Sequence, residues 1–349
     1  MQGRAMLYEG MPIDEIQIDW RTRLIAWWEG FDLSGIEERK KNAKARLAEK
    51  KASKTIIKSE DAEPEAEKEP PGLDRNGRPL WSLTRIELAE LMWGEKFVEP
   101  GSETWIPKLV ATLPLNPTSS LLDLTAGLGG VIEHAAQRFG AHADGYDVNP
   151  LLVEEGNKRI ATSDVAGKLQ LNPLDQNNFQ ISRRYEFCLA LNLFYTVEDK
   201  DALYQKLVTV LKDRGQLVFT DFFIQPDADI TSGALKAWRQ TERLEPHPIT
   251  SKDMEKGLTA AGFDVRTVED ISTAYQREAR VGLSRLHEYL KTKEMDGEAK
   301  QLVTDEIALL TRRLRAMEAG LKFKRIHAIL PVGATSDDAF APSAPSEIN

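Results

Sequence analysis

The chain has 349 residues, 41% hydrophobic and 29% charged, with a formal net charge of −9 and one cysteine, Cys188. This composition suits a folded protein of one large α/β domain with additions, or of two small domains. It excludes an intrachain disulfide framework, and the acidic balance argues against nucleic acid as the main partner, because phosphate binding needs a basic face. No uncharged apolar run approaches the roughly 20 residues that span a bilayer. The first residues, MQGRAMLYEGMPIDEIQ, carry acids where a signal peptide needs an apolar core, so a cytoplasmic protein is expected. The five histidines are scattered and none shares zinc-ligand spacing with the cysteine, so no metal site is expected.

Residues 1–34 are rich in large apolar side chains, with Trp20, Leu24, Trp27 and Trp28 at helical spacing. They predict a short amphipathic helix that packs on its own domain or docks a protein partner or a surface. Residues 35–80 read as a charged flexible linker, a basic block (ERKKNAKARLAEKKASKTIIK) followed by an acidic one (SEDAEPEAEKEPPG). Residues 81–333 alternate apolar strand-like runs with helical patterns, as in an α/β sheet with crossover helices. Residues 334–349 read as a disordered tail.

The segment SSLLDLTAGLGGVIEHAAQRFGAHADGYDVNP carries most of the chemistry. Ser120–Leu124 predicts a buried strand, Thr125–Gly130 a small-residue turn, Val131–Phe139 a helix, and Ala143–Asp147 a second strand ending in an acid. Strand, glycine turn, helix, and strand with a terminal acid make a nucleotide-binding unit in which the acid accepts ribose hydroxyls. The turn does not fit the dinucleotide fingerprint, whose third glycine would fall at Ile132. Asp123 at the end of the first strand would repel a pyrophosphate but suits the cationic ammonium and sulfonium of S-adenosylmethionine (SAM). A nicotinamide-dependent oxidoreductase is therefore the weaker alternative.

Further strands are expected at Leu169–Asn172, Tyr185–Asn192 and Gln216–Asp221, with a helix before the last that stops at Gly215. Asp123, Asp147, Asp175, Asn192 and Asp221 then all fall at strand carboxyl ends, where such sheets bind ligands.

On these motifs the chain resembles the class I SAM-dependent methyltransferases over about residues 85–330. LLDLTAGLGG resembles the first motif, GYDVNP the second-strand acid, LDQNNF the adenine segment, and LKDRGQLVFTDFF the helix end before the fifth strand. Within that class MWGEKFVEPGSETW is similar to the segment that closes over SAM in phosphoethanolamine and related small-amine methyltransferases. The C-terminal pattern also resembles theirs, with helices at about 271–291 and 298–319 and a final strand after Gly320. The resemblance implies an α/β, Rossmann-like sheet with helices on both faces, a helical C-terminal lid and an N-terminal helical extension. It implies SAM as cofactor, held by Asp123, Thr125, Gly127, Gly129, Asp147, Val148, Asp175, Gln176 and Asn192, and a small-molecule acceptor.

The acceptor side departs from that group. Its histidine after the fourth strand is replaced by Phe194-Tyr195-Thr196, its partner tyrosine by Ala89, and its phosphate clamp by Leu244-Glu245-Pro246-His247-Pro248. Glu245 would repel a phosphate, so neither that substrate nor that catalytic pair carries over. Tyr195 and His247 are the candidate catalytic groups. The segment from Pro226 to Pro248, with Trp238, Arg239 and Arg243, is expected to form a substrate lid whose arginines meet an acidic group. Trp93, Phe97 and Trp105 are candidate pocket walls. The missing dyad and the long N-terminal extension leave a second reading, a SAM-binding pseudoenzyme acting as a regulatory or scaffold subunit.

Overall fold

The computed structural model describes residues 72–101, 103–174, 181–292, 295 and 297–333. The predicted N-terminal helix, most of the linker and the C-terminal tail lie outside these residues. The chain divides into two compact units, one of residues 70–292 with 312–349 and the other of residues 1–69 with 293–311. In the second unit the longest described stretch, residues 297–311, is helical.

The larger unit is built on a seven-stranded sheet of order β3-β2-β1-β4-β5-β7-β6. The strands are β1 (Ser120–Asp123), β2 (His142–Asp147), β3 (Leu169–Pro173), β4 (Tyr185–Leu191), β5 (Leu211–Ile224), β6 (Asp264–Asp270) and β7 (Leu321–Ile329). The first five pair in parallel, while β7 runs antiparallel between β5 and β6. Strand order reverses between β1 and β4, which opens a crevice beyond their carboxyl ends, where open α/β sheets take ligands.

Alternating strand residues feed two apolar layers. Leu121, Phe187, Leu189 and Val218 point to one face, against Ile106, Val110, Ile132 and Ala135. These come from α2 (Ile106–Val110) and α3 (Gly130–Phe139). Leu122, Cys188, Ala190 and Phe219 point to the other face, against Leu203, Leu207, Met254 and Leu258. Those belong to α5 (Lys200–Val210) and α7 (Ser251–Ala260). Cys188 is a buried free thiol whose pKa burial raises, so it is a core residue, as its apolar run implies.

Local chemistry sets the helix starts. Ser82 caps α1 (Leu83–Trp93), and Asn149, followed by Pro150, caps α4 (Pro150–Ile160). Asp199 caps α5 and Thr250 caps α7. α6 spans Gly233–Thr241, α8 Ser272–Thr292 and α9 Gly297–Glu318, close to the helical pair expected from sequence.

Two expectations are corrected. Gly215 does not stop a helix: α5 ends at Val210 and β5 begins at once. The register shifts between Tyr185 and Phe187, so residues 212–215 loop out of the ladder. The left-handed residue there is Arg214, and a Cβ on Gly215 would stand 2.7 Å from the Lys212 carbonyl oxygen. Nor are residues 72–80 linker. They form a turn closed by a bridge between Leu73 and Pro79, around the buried Asp74, which accepts from Asn76 N–H and Arg78 N–H. Arg75 then donates from its backbone N–H to the Arg243 carbonyl and from its guanidinium to the Arg239 carbonyl.

Candidate active site

The crevice is floored by the turn between β1 and α3. Gly127 and Gly129 both adopt left-handed φ, +54° and +88°, which a side chain resists. A Cβ on Gly130 would lie 2.7 Å from the Lys96 carbonyl oxygen and from the Phe97 ring. Only glycine lets the preceding loop sit that close.

Asp123 ends β1 fully buried. Its Oδ1 accepts from the Thr125 N–H at 3.0 Å and hydroxyl at 3.3 Å, while Oδ2 has no partner. Burial pushes its pKa up to about 7; the Thr125 N–H opposes this and the nearby Asp147 adds to it. Thr125 stands where the related motif carries its first glycine. Its hydroxyl accepts from the Leu191 N–H at 2.7 Å and so ties the end of β1 to the end of β4.

Asp147 ends β2 and accepts from the Gly127 N–H at 2.9 Å and the Asn149 N–H at 2.8 Å. Burial raises its pKa to about 6 against those two donors. Val148 packs, half-buried, on the sheet core. Asp175 and Gln176 lie outside the described residues. Asn192, just past β4, has a left-handed φ of +57°. Its N–H donates to the Thr220 carbonyl, its Nδ2 donates to Glu99 Oε2 at 3.0 Å, and its Oδ1 is buried without a partner. Asp123, Thr125, Gly127, Gly129, Asp147 and Asn192 therefore meet in one crevice.

Tyr195 sits in a short 3-10 turn, Phe194–Thr196, hung on Asp221 at the crevice end of β5. The Asp221 carboxylate accepts from the N–H groups of Phe194 (2.6 Å), Tyr195 (3.2 Å) and Phe222 (2.7 Å). The Tyr195 hydroxyl donates to Glu242 at 3.2 Å and accepts from Arg313 at 3.3 Å. Burial, then the Glu242 charge, holds its pKa well above the ordinary phenol value. A phenol so placed holds its proton more tightly than an exposed one. His247 meets the same turn through its backbone. Its N–H donates to the Tyr195 carbonyl at 2.5 Å, and its carbonyl accepts from Lys200 Nζ at 2.6 Å.

Sequence reading missed the group that holds Tyr195. Arg313, near the end of α9, donates to both oxygens of Glu242, at 2.6 and 2.8 Å, and to the Tyr275 hydroxyl at 3.0 Å. The Trp238 indole donates to Glu242 at 2.6 Å. Both charged side chains are buried, at 7% and 2% exposure. Nothing in local spacing distinguishes Glu242 and Arg313, 71 positions apart, from charges on solvated helix faces.

The expected arginine pair on the lid is corrected as well. Arg239 pairs with Glu245, which Arg75 also meets, so its guanidinium is already engaged. Trp238 is fully buried, with its ring near Tyr195 and Phe222.

The loop between α1 and α2 closes over the glycine turn. Val98 packs against Gly127 and Phe97 against Gly130. Trp105 holds the loop by donating to the Pro100 carbonyl at 2.9 Å, and Trp93 is buried with its ring against Gly282 of α8. Lys96 fastens the loop to α3 through a half-buried pair with Glu133 at 2.7 Å. Lys96→Met strands that carboxylate. We expect amide exchange across residues 96–99 to rise about tenfold, the effect of losing roughly 1.4 kcal/mol of local stability, with global stability little changed. Hydrogen exchange read by mass spectrometry checks this.

Comparison with known proteins agrees with this geometry. The methyltransferase domain family matches residues 97–268. Over those residues the chain is similar to that family, and its fold is the Rossmann-like methyltransferase fold. It is similar to the phosphoethanolamine N-methyltransferase of Plasmodium falciparum, 26% identical over 207 residues that cover 58% of this chain and 75% of that one. It is also similar to a glycine/sarcosine/dimethylglycine N-methyltransferase of Actinopolyspora halophila, 21% identical over 202 residues, 55% of this chain and 34% of that one. Among solved structures it resembles Haemonchus contortus phosphoethanolamine N-methyltransferase 2, bound there to phosphomonomethylethanolamine and S-adenosylhomocysteine. That match has a TM-score of 0.64 and 17% identity, and covers 72% of this chain and 58% of that one. Except for the Plasmodium enzyme, these relatives are spanned for less than two thirds of their length. Among the described residues no helix is long and apolar enough to cross a membrane.

Proposed function

We propose that this protein transfers a methyl group from SAM to the nitrogen of a small amine. The observation that carries the cofactor half is the unpartnered, fully buried Oδ2 of Asp123 beside a turn that only glycines can make. A buried acceptor left without a donor is costly, and a ligand ammonium supplies the donor. Asp147 is placed for ribose hydroxyls and Asn192 Oδ1 for a further ligand donor. SAM, when bound, supplies an electrophilic methyl on a sulfonium. The protein's share is to hold the acceptor in line with that methyl, away from water.

The amine half rests on the surroundings of Tyr195. Arg313 is neutralised by Glu242, and Arg239 by Glu245. Relatives named for phosphoethanolamine share the amine chemistry. In the segment that resembles their phosphate clamp this chain carries Glu245, which would repel a phosphate, so the acceptor we propose is an amine without one.

Incubation with SAM and ethanolamine, dimethylethanolamine, sarcosine or phosphoethanolamine, with methylated product read by mass spectrometry, tests this reading. A methylated amine, formed faster from an unphosphorylated acceptor than from phosphoethanolamine, is expected. Transfer confined to phosphoethanolamine would refute the choice of acceptor.

A further inference from the structure

Thr220 lies on β5, one residue before Asp221, and is 1% exposed. Its Oγ1 is buried and has no hydrogen-bond partner. Two buried atoms on neighbouring elements share that state. Asn192 donates its N–H to the Thr220 carbonyl at 2.8 Å, and its own Oδ1 has no partner. Arg325 stands opposite Thr220 across the β5–β7 ladder, so the two side chains leave the sheet on the same face. Its Nη2 pairs with Glu269 at 2.8 Å, while its Nε is buried without an acceptor.

The loop between α1 and α2 crosses this face. Val98 meets Gly127 beyond the end of β1, Glu99 meets Asn192 beyond the end of β4, and Trp105 meets Phe323 of β7 with 5.5 Å between ring centroids. Phe323 is two residues from Arg325 and so shares its face. β5, which carries Thr220, lies between β4 and β7, so the unsatisfied atoms fall on the side of the sheet that the loop covers. A buried polar atom without a partner is costly, and three of them on adjoining strands mark a place for a polar group from outside.

The set defines that group. Asn192 Oδ1 can only accept, Arg325 Nε can only donate, and the Thr220 hydroxyl does either. A carboxylate or a phosphate only accepts and leaves Asn192 unmet. An ammonium only donates and leaves Arg325 unmet. The Arg325 charge is already paired with Glu269, so no anion is called for. A neutral hydroxyl both donates and accepts, and it suits all three.

We propose that Thr220 is a specificity-determining residue that binds a hydroxyl of the acceptor, so that the acceptor is an amino alcohol. The inference rests on the SAM-dependent, amine-directed reading above. The acceptor hydroxyl bonds to Thr220 and finds its other partners in Asn192 and Arg325. Holding that end of a short molecule restricts where its nitrogen can stand.

The test uses the full chain and acceptors that differ only in the hydroxyl: dimethylethanolamine against dimethylpropylamine, and ethanolamine against propylamine. Wild type, Thr220→Val and Thr220→Ser are compared in kcat and KM, with SAM affinity read by calorimetry and stability by thermal melts. The wild type should favour the hydroxylated amines by about tenfold or more in kcat/KM. Thr220→Val should abolish that preference by raising KM for the amino alcohols about tenfold, with kcat within about threefold and the isosteres unaffected. Its SAM affinity should be unchanged and its melting temperature not lowered, since the hydroxyl removed makes no bond in the empty protein. Thr220→Ser should keep most of the preference. Should Thr220→Val not fold, Thr220→Ala against Thr220→Ser isolates the hydroxyl in the same way. A variant without the hydroxyl that keeps the wild-type preference would overturn the inference. So would equal losses on amino alcohols and isosteres, which would make Thr220 purely structural. Transfer to sarcosine but to neither amino alcohol would also overturn it, while leaving the amine reading intact. SAM binding without transfer to any amine, or no SAM binding, would instead refute the underlying reading and the inference with it.

Discussion

Arg313→Met is expected to destabilise the protein by about 3–5 kcal/mol, because it leaves the Glu242 carboxylate buried without its cation. Glu242 accepts two hydrogen bonds from Arg313, one from Trp238 and one from Tyr195, so the loss reaches every group around the Tyr195 hydroxyl. Removing the stranded charge as well reverses most of the effect. The double variant Arg313→Met, Glu242→Gln should cost only about 1–2 kcal/mol, since the amide oxygen can still accept from the Trp238 indole while its NH2 donates to the Tyr195 hydroxyl oxygen. Urea unfolding of the wild type, both single variants and the double variant gives the coupling energy. A single variant within 1 kcal/mol of wild type would show that the pair is not the buried unit described here.

Asp123→Asn should separate stability from binding. The carboxyl of Asp123 has a folded-state pKa of about 7, against 3.8 for the ordinary side chain, chiefly because it is buried. Between those values the folded state holds a proton that the unfolded state has lost, so stability falls as pH rises through this window. Above about pH 7 both states are ionised and the cost of the buried charge is fully present. The asparagine carries no such charge. At pH 8 the unliganded variant should therefore exceed wild type by on the order of 2 kcal/mol, and the advantage should vanish near pH 4. SAM affinity should move the other way, falling about tenfold or more, because the charge that destabilises the empty site attracts the ligand ammonium. Thermal melts at pH 4 and 8, with and without SAM, read both effects. A variant that loses stability at pH 8, or binds SAM as well as wild type, would contradict this account of Asp123.

Much of the parallel half of the sheet was legible because β1, β3 and β4 are short, largely apolar runs and α4 and α5 open on their own caps, Asn149 and Asp199. Gly127, Gly129 and Asp147 were legible for a related reason: a tight turn and a terminal acid are local features. What stayed hidden depends on contacts far apart in sequence. Glu242 and Arg313 meet across 71 residues, and Asn192 meets Glu99 across 93. Gly215 misled because a glycine after a helical pattern reads as a stop, whereas here it relieves a bulge against Lys212. The turn at 72–80 looked like linker because its anchors are the backbone carbonyls of Arg239 and Arg243, which no side-chain pattern reveals. Tyr195 was singled out by its position after the fourth strand, but nothing near it in sequence shows that its hydroxyl is enclosed by Glu242 and Arg313.

The most direct test of the central claim is a calorimetric titration of the purified protein with SAM and with S-adenosylhomocysteine, with Asp147→Ala as the control. The account predicts micromolar binding of both ligands to the wild type. It predicts a loss of at least tenfold in the variant, whose Gly127 turn loses its acceptor and whose ribose site loses its acid. A folded wild-type protein that takes up neither ligand would contradict it.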